Sequence, residues 1–182
     1  TNFPGTNPIF TVGSPASVST HPSSTSVCSN TNASFSIVAS NATGYQWQVD
    51  QGQGAGFVNV SNTAPYSGAT TATLTITNVT NAMNGYVYKC IAKGVADATS
   101  SSATLTVKQT TVVTDTQVAC DTYTWINGVT YTASNNTATF TRTNAAGCNE
   151  VVTLNLTIKK STAVTDTQVA CDTYTWINGV TY

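Results

Sequence analysis

The eighteen residues TDTQVACDTYTWINGVTY stand at 114–131 and again, letter for letter, at 165–182. With Val113 and Val164 the match gains one more residue, and Cys120 to Cys171 sets a period of 51 residues. Self-similarity at roughly this period marks chains built from small supersecondary units, each unable to bury a core of its own. The expected organisation is therefore an array, with 161–182 as the truncated start of a second unit.

The elements inside such units must be strands. YQWQV, ATLTIT, YVYKCIA, ATLTV and EVVTLNLTI alternate apolar with polar residues at period two, the pattern of a strand with one buried face. Tyr45, Trp47 and Val49 share a face, as do Leu74 with Ile76, and Tyr86 and Tyr88 with Cys90. Gly, Asn and Ser clusters such as DQGQGAG and SNTAPYSG supply turns between them. The fold class expected is all-β: a sandwich followed by tandem small β repeats of about 51 residues.

Composition removes whole function classes. Charged residues are 7% of the chain, against roughly 25% in an ordinary domain, and about one residue in five is Thr. Six Lys and Arg at a net charge of −1 leave no basic patch able to neutralise several phosphates, so nucleic acid is not an expected partner. No apolar run approaches the roughly 18–20 residues that span a bilayer, so direct membrane insertion is not expected either. His21 is the single histidine, which leaves neither a thiolate-imidazole zinc site nor a nucleophile, histidine and carboxylate set. No cofactor, no metal and no enzyme activity are expected. Asp115 and Asp121 could ligate calcium between repeats, but no D-x-D-x-D-G loop is present.

Residues 21–108 resemble an immunoglobulin-like domain. Cys28, Trp47 and LTITNVTNAMNGYVYKC, ending at Cys90, follow the order of a first cysteine, a core tryptophan, and a tyrosine two residues before the second cysteine. The resemblance implies a core of Phe35, Trp47, Leu74, Ile76 and Tyr88, a Cys28–Cys90 bond between the sheets, and a Tyr88 hydroxyl satisfying backbone at a tyrosine corner. One departure stands out. Cys28 precedes Trp47 by nineteen residues, farther than the pattern expects, and Phe35 occupies the usual cysteine place. On that reading Phe35 fills the core and Cys28 staples the rim.

The vocabulary is closer still to one group. YQWQV, YSGATTATLTITNVT, MNGYVYKC and the downstream ACDTYTWINGVTY and FTRTNAAGCNEVVTLNLTI are similar to modules of very large secreted proteins of the Bacteroidota. The resemblance implies export by the type IX route and a place at the cell surface as an adhesin, including gliding-associated adhesins and filaments.

Within the repeat, Asn127-Gly128 between YTWI and VTY predicts a two-residue hairpin turn. Pairing Ile126 with Val129 would put Thr124, Ile126, Val129 and Tyr131 on one face, and Tyr123, Trp125, Thr130 and Thr132 on the other. A second hairpin forms around NAAGCNE, with Cys148 available to bond Cys120 and staple the unit. By the same spacing Cys171 would pair about 28 residues further on. Tyr123, Trp125, Tyr174 and Trp176 are candidates either for packing, within the unit or against a neighbouring repeat, or for a platform on which sugar rings stack.

The expected domains are 1–20, a linker or the end of a preceding module; 21–108, immunoglobulin-like; 109–160, β repeat 1; and 161–182, the start of repeat 2. Two function classes fit. One is a non-catalytic stalk or adhesin segment of an extracellular or cell-surface protein, whose partners are neighbouring modules, surface polysaccharide or other surface proteins. Short connectors such as KKSTAV favour a stiff array in that case. The other is a carbohydrate-binding module accessory to an enzyme elsewhere in the chain.

Overall fold

The computed structural model describes residues 13–182, so 1–12 of the expected N-terminal linker lie outside the described residues. The chain divides into two compact units: one is Thr1–Val112 with Thr141–Val151, the other Val113–Phe140 with Val152–Tyr182.

The first unit carries β1 (Ser17–Thr20), β2 (Thr25–Cys28), β3 (Ala33–Ser36), β4 (Val38–Ser40), β5 (Gly44–Asp50) and β6 (Val58–Asn59). After these come β7 (Tyr66–Ser67), β8 (Thr73–Ile76), β9 (Val87–Lys93), β10 (Ala98–Thr99) and β11 (Ala103–Lys108). One layer runs β3-β8-β7, with β1 pairing β4 just beyond the end of β3. The other runs β2-β11-β9-β5-β6, with β10 added on β9. β2 lies parallel to β11, and the β9 pairings are antiparallel. This strand order is that of an immunoglobulin-like sandwich.

Alternation along each strand fills the space between the layers. Trp47 from β5, Phe35 from β3, Leu74 and Ile76 from β8, and Tyr88 from β9 are all buried in one cluster. The Phe35 ring stacks on Tyr88 with centroids 4.9 Å apart and lies 6.4 Å from Trp47. Aromatic packing of this kind contributes about 0.5–1.5 kcal/mol per pair beyond area burial. Trp47 satisfies its indole N–H by donating to the Thr71 carbonyl at 2.9 Å.

Two expectations change here. Ser17–Thr20, read from sequence as part of a linker or the end of a preceding module, is the sandwich's first strand, because the apolar Ala16 and Val18 pack against the core. Tyr88 does not meet backbone at its corner. Its hydroxyl lies 3.2 Å from that of Tyr66, and burial, before that hydrogen bond, drives its pKa well above the ordinary tyrosine value.

Beyond the sandwich come β12 (Thr111–Cys120), β13 (Tyr123–Thr124), β14 (Thr130–Tyr131), β15 (Thr139–Thr143) and β16 (Asn149–Lys159). They form a three-stranded sheet β12-β16-β15 and the small β13-β14 hairpin. The second unit's core is Trp125, Val152, Leu154 and Leu156, with Tyr123, Tyr131, Ala138, Phe140 and Ile158 packed around it.

Candidate functional site

The β13-β14 hairpin is one residue out of the register that Asn-Gly predicts. Tyr123 pairs with Tyr131 and Thr124 with Thr130. Gly128 N–H donates to the Trp125 carbonyl at 2.9 Å, and Trp125 N–H to the Val129 carbonyl at 3.0 Å, which closes a three-residue loop. Gly128 takes the positive φ, +78°, that ends such a loop with a bulge. Asn127 braces the loop, accepting from Val129 N–H and donating to the Tyr131 hydroxyl.

Because side chains alternate, a one-residue slip exchanges faces. Tyr123, Trp125 and Tyr131 therefore turn inward together, while Thr124 and Thr130 meet on the outer face, their hydroxyls 2.8 Å apart. Trp125 is 2% exposed, and its indole N–H donates to Asp115 Oδ2 at 2.7 Å. An indole sunk to that depth has no free face for a sugar ring, so Trp125 packs within its own unit and the alternative, a stacking platform at this residue, is not formed.

The second copy repeats the local pattern. Thr175 and Thr181 form an isolated bridge with hydroxyls 2.7 Å apart, Asn178 reaches the Tyr182 hydroxyl, and Trp176 donates to Asp166 at 3.1 Å. Tyr174 and Trp176 are half-buried. Sequence reasoning overlooked Asp115 and Asp166 as tryptophan partners. The signal was present, since an Asp ten residues before each Trp occurs in both copies.

The cysteines depart from both expected pairs. The structure bonds Cys28 to Cys148, with Cα atoms 5.7 Å apart, and leaves Cys90, Cys120 and Cys171 as thiols. The reasons are positional. Cys28 ends β2, an edge strand beside β11, whereas the β3 place that would carry a cysteine toward Cys90 holds the buried Phe35. Cys90, fully buried opposite Trp47 in β9, keeps a thiol that burial pushes up to about 11.

The expected Cys120–Cys148 bond is not formed, because Cys148 is taken by Cys28 and Cys120 stays an exposed thiol. Thr111 at the start of β12 donates to Glu150 at the start of β16, and Asp121 N–H, just past β12, donates to the Lys159 carbonyl at the other end. Both strands thus run the same way.

Cys148 is held at the tip of the β15-β16 hairpin by one residue. Asn144 accepts through Oδ1 from the N–H groups of Ala146 and Cys148 at 3.0 Å each. Its Nδ2 donates to the Gln109 carbonyl at 3.0 Å and to Thr111 Oγ1 at 3.3 Å. Tip, bond and acceptors all belong to the first unit.

Among the described residues no group of three or more His, Cys, Asp or Glu is placed to hold a metal. Asp115 is engaged by Trp125 and Gln117, and Asp121 by Ser161 N–H. No helix among the described residues is long and apolar enough to cross a membrane.

No family model matches the chain, and no curated protein does. Solved structures similar to it include a titin M10–obscurin-like 1 immunoglobulin complex, at 22% identity over 54% of this chain and 97% of that chain, TM-score 0.41. A chimeric titin Z1Z2 shares 27% identity over 52% of this chain and 94% of that one, TM-score 0.40. The N-terminal Ig1-2 module of the Drosophila receptor protein tyrosine phosphatase DLAR shares 16% over 80% of this chain and 100% of that one, TM-score 0.42. The immunoglobulin-like assignment rests on the strand order and core described above.

Proposed function

We propose that the chain is a non-catalytic structural and adhesive segment of a large secreted or cell-surface repeat protein, serving as stalk or adhesin modules in surface attachment or gliding. The observation that carries this reading is the recurrence of one unit at 51 residues, in which the same turn, threonine pair and Asp–Trp bond form twice. Selection for spacing and toughness favours such copying, since each added unit extends the chain without new chemistry. The disulfide adds resistance suited to an oxidising, extracellular setting. Likeness to exported Bacteroidota modules gives the reading its setting: a type IX substrate displayed outside the cell.

The test is to replace residues 13–182, within the protein that carries them, by a flexible Gly/Ser linker of equal residue number. Attachment of cells to glass and polysaccharide should fall severalfold while secretion and display remain unchanged. Unaltered attachment would refute the proposal. Glycan binding by the isolated segment, lost in Trp176→Ala, would instead support the sugar-binding alternative.

A further inference from the structure

Cys120 is an exposed thiol whose surroundings reproduce those of the bonded Cys28. At the end of β2, the residue after Cys28 is Ser29. Its N–H donates to the carbonyl of Lys108, the last residue of β11, at 2.8 Å, and its Oγ accepts from the N–H of Thr110 at 3.3 Å. At the end of β12, the residue after Cys120 is Asp121. Its N–H donates to the carbonyl of Lys159, the last residue of β16, at 2.9 Å, and its Oδ1 accepts from the N–H of Ser161 at 2.9 Å. In both places a cysteine ends a strand that runs alongside the last strand of its fold in the same direction, and the next residue bridges to the exit segment by the same two bonds.

The exit segments also correspond. Lys108-Gln109-Thr110-Thr111 and Lys159-Lys160-Ser161-Thr162 are related by the 51-residue period. At the first, the Gln109 carbonyl and the Thr111 hydroxyl accept from Asn144 of the tip that delivers Cys148. At the second, the counterparts are the carbonyl of Lys160 and the hydroxyl of Thr162, both on exposed residues.

We propose that Cys120 is the docking thiol for the hairpin-tip cysteine of a following copy of the unit, the counterpart of Cys148, so that the Cys28–Cys148 rivet recurs along an array. The following tip would donate from its Asn144 counterpart to Lys160 O and Thr162 Oγ1. Bond formation is a two-electron oxidation by thiol–disulfide exchange with a small or protein disulfide: two thiols and one oxidant disulfide give the new S–S bond and two reduced thiols, which carry the two protons away. The inference stands apart from any adhesive role, since it concerns only how copies are joined.

The test extends the chain after Tyr182 with a copy of residues 132–160, completing the second unit, and refolds it with glutathione disulfide. Non-reducing peptide mapping should show Cys120 bonded to the appended cysteine beside the Cys28–Cys148 bond. Alkylation of Cys120 should fall about tenfold or more against the unextended chain, because tethering presents the second thiol at millimolar effective concentration. Changing the appended cysteine to alanine should restore full alkylation in a chain of unchanged circular dichroism, which excludes misfolding as the source of protection. A Cys120 that stays alkylable in the extended chain, or an appended cysteine bonded to Cys171, overturns the proposal.

Discussion

Replacing Cys28 and Cys148 together by alanine opens a covalent loop of 120 residues' separation. Closing a loop of that length restricts the unfolded chain by about 5 kcal/mol at 25 °C on the chain-entropy account. The native tip has other anchors in Asn144 to Gln109 and Thr111, and in Thr111 to Glu150, so it should stay seated and the loss should fall almost wholly on the unfolded side. With a urea m-value of roughly 2 kcal/mol/M, the unfolding midpoint should drop by about 2.5 M. The assay is urea unfolding followed by circular dichroism on three samples: oxidised parent, parent in dithiothreitol, and the double alanine variant. The last two should coincide within about 1 kcal/mol, since reduction and substitution remove the same constraint. A loss below about 1 kcal/mol, with the bond mapped and intact in the parent, would refute the reasoning by showing that the unfolded chain is not held by this link.

Gly68→Ala should destabilise the sandwich by about 2–4 kcal/mol in urea unfolding, because φ is +74° and a Cβ would lie 2.2 Å from the Thr73 carbonyl oxygen. Trp125→Ala should cost about 3–5 kcal/mol as a buried cavity, read as faster proteolysis within 113–159, whereas an exposed sugar platform would lose nothing. Ellman's reagent at pH 8 should titrate Cys120 and Cys171 in the folded protein and reach Cys90 only in denaturant, since burial pushes that thiol up to about 11. Acid should also weaken the protein. The Ser161 N–H holds Asp121 below its ordinary 3.8, and the Arg142 bond holds Glu150 below its ordinary 4.5. Depressed carboxyl values add stability above those ordinary values and lose it as pH falls through the folded ones, so urea midpoints should hold from pH 7 to 5 and decline below about 4.5. Asp121→Asn with Glu150→Gln should remove part of that decline.

Local alternation carried much of the sandwich. A strand with one wet face declares its inner residues by period two alone, and for that reason Trp47, Leu74, Ile76 and Tyr88 could be placed in a core before any coordinates. Phe35 was legible from a misfit, the long spacing between Cys28 and Trp47, which left an aromatic residue where a cysteine was expected. The internal repeat was visible as identity, and its hairpin as Asn-Gly between apolar runs. Register was not visible, because Asn127-Gly128 suits both a two-residue turn and a three-residue loop closed by Gly128 at positive φ. That single residue decided whether Tyr131 shared a face with Thr124 or with Trp125.

Sequence by itself determined the all-β class and the inward residues of the sandwich, since these follow from a period of two that neighbouring residues carry, and it displayed the recurrence of 114–131 at 165–182. Tertiary structure alone decided which thiols meet. A disulfide needs two Cα atoms within about 7 Å, and that distance depends on strand direction and on which hairpin tip reaches which strand end. Cys28 and Cys148, 120 positions apart, satisfy it at 5.7 Å. Cys120 is much nearer Cys148 in sequence, yet it stays an exposed thiol while Cys148 bonds Cys28.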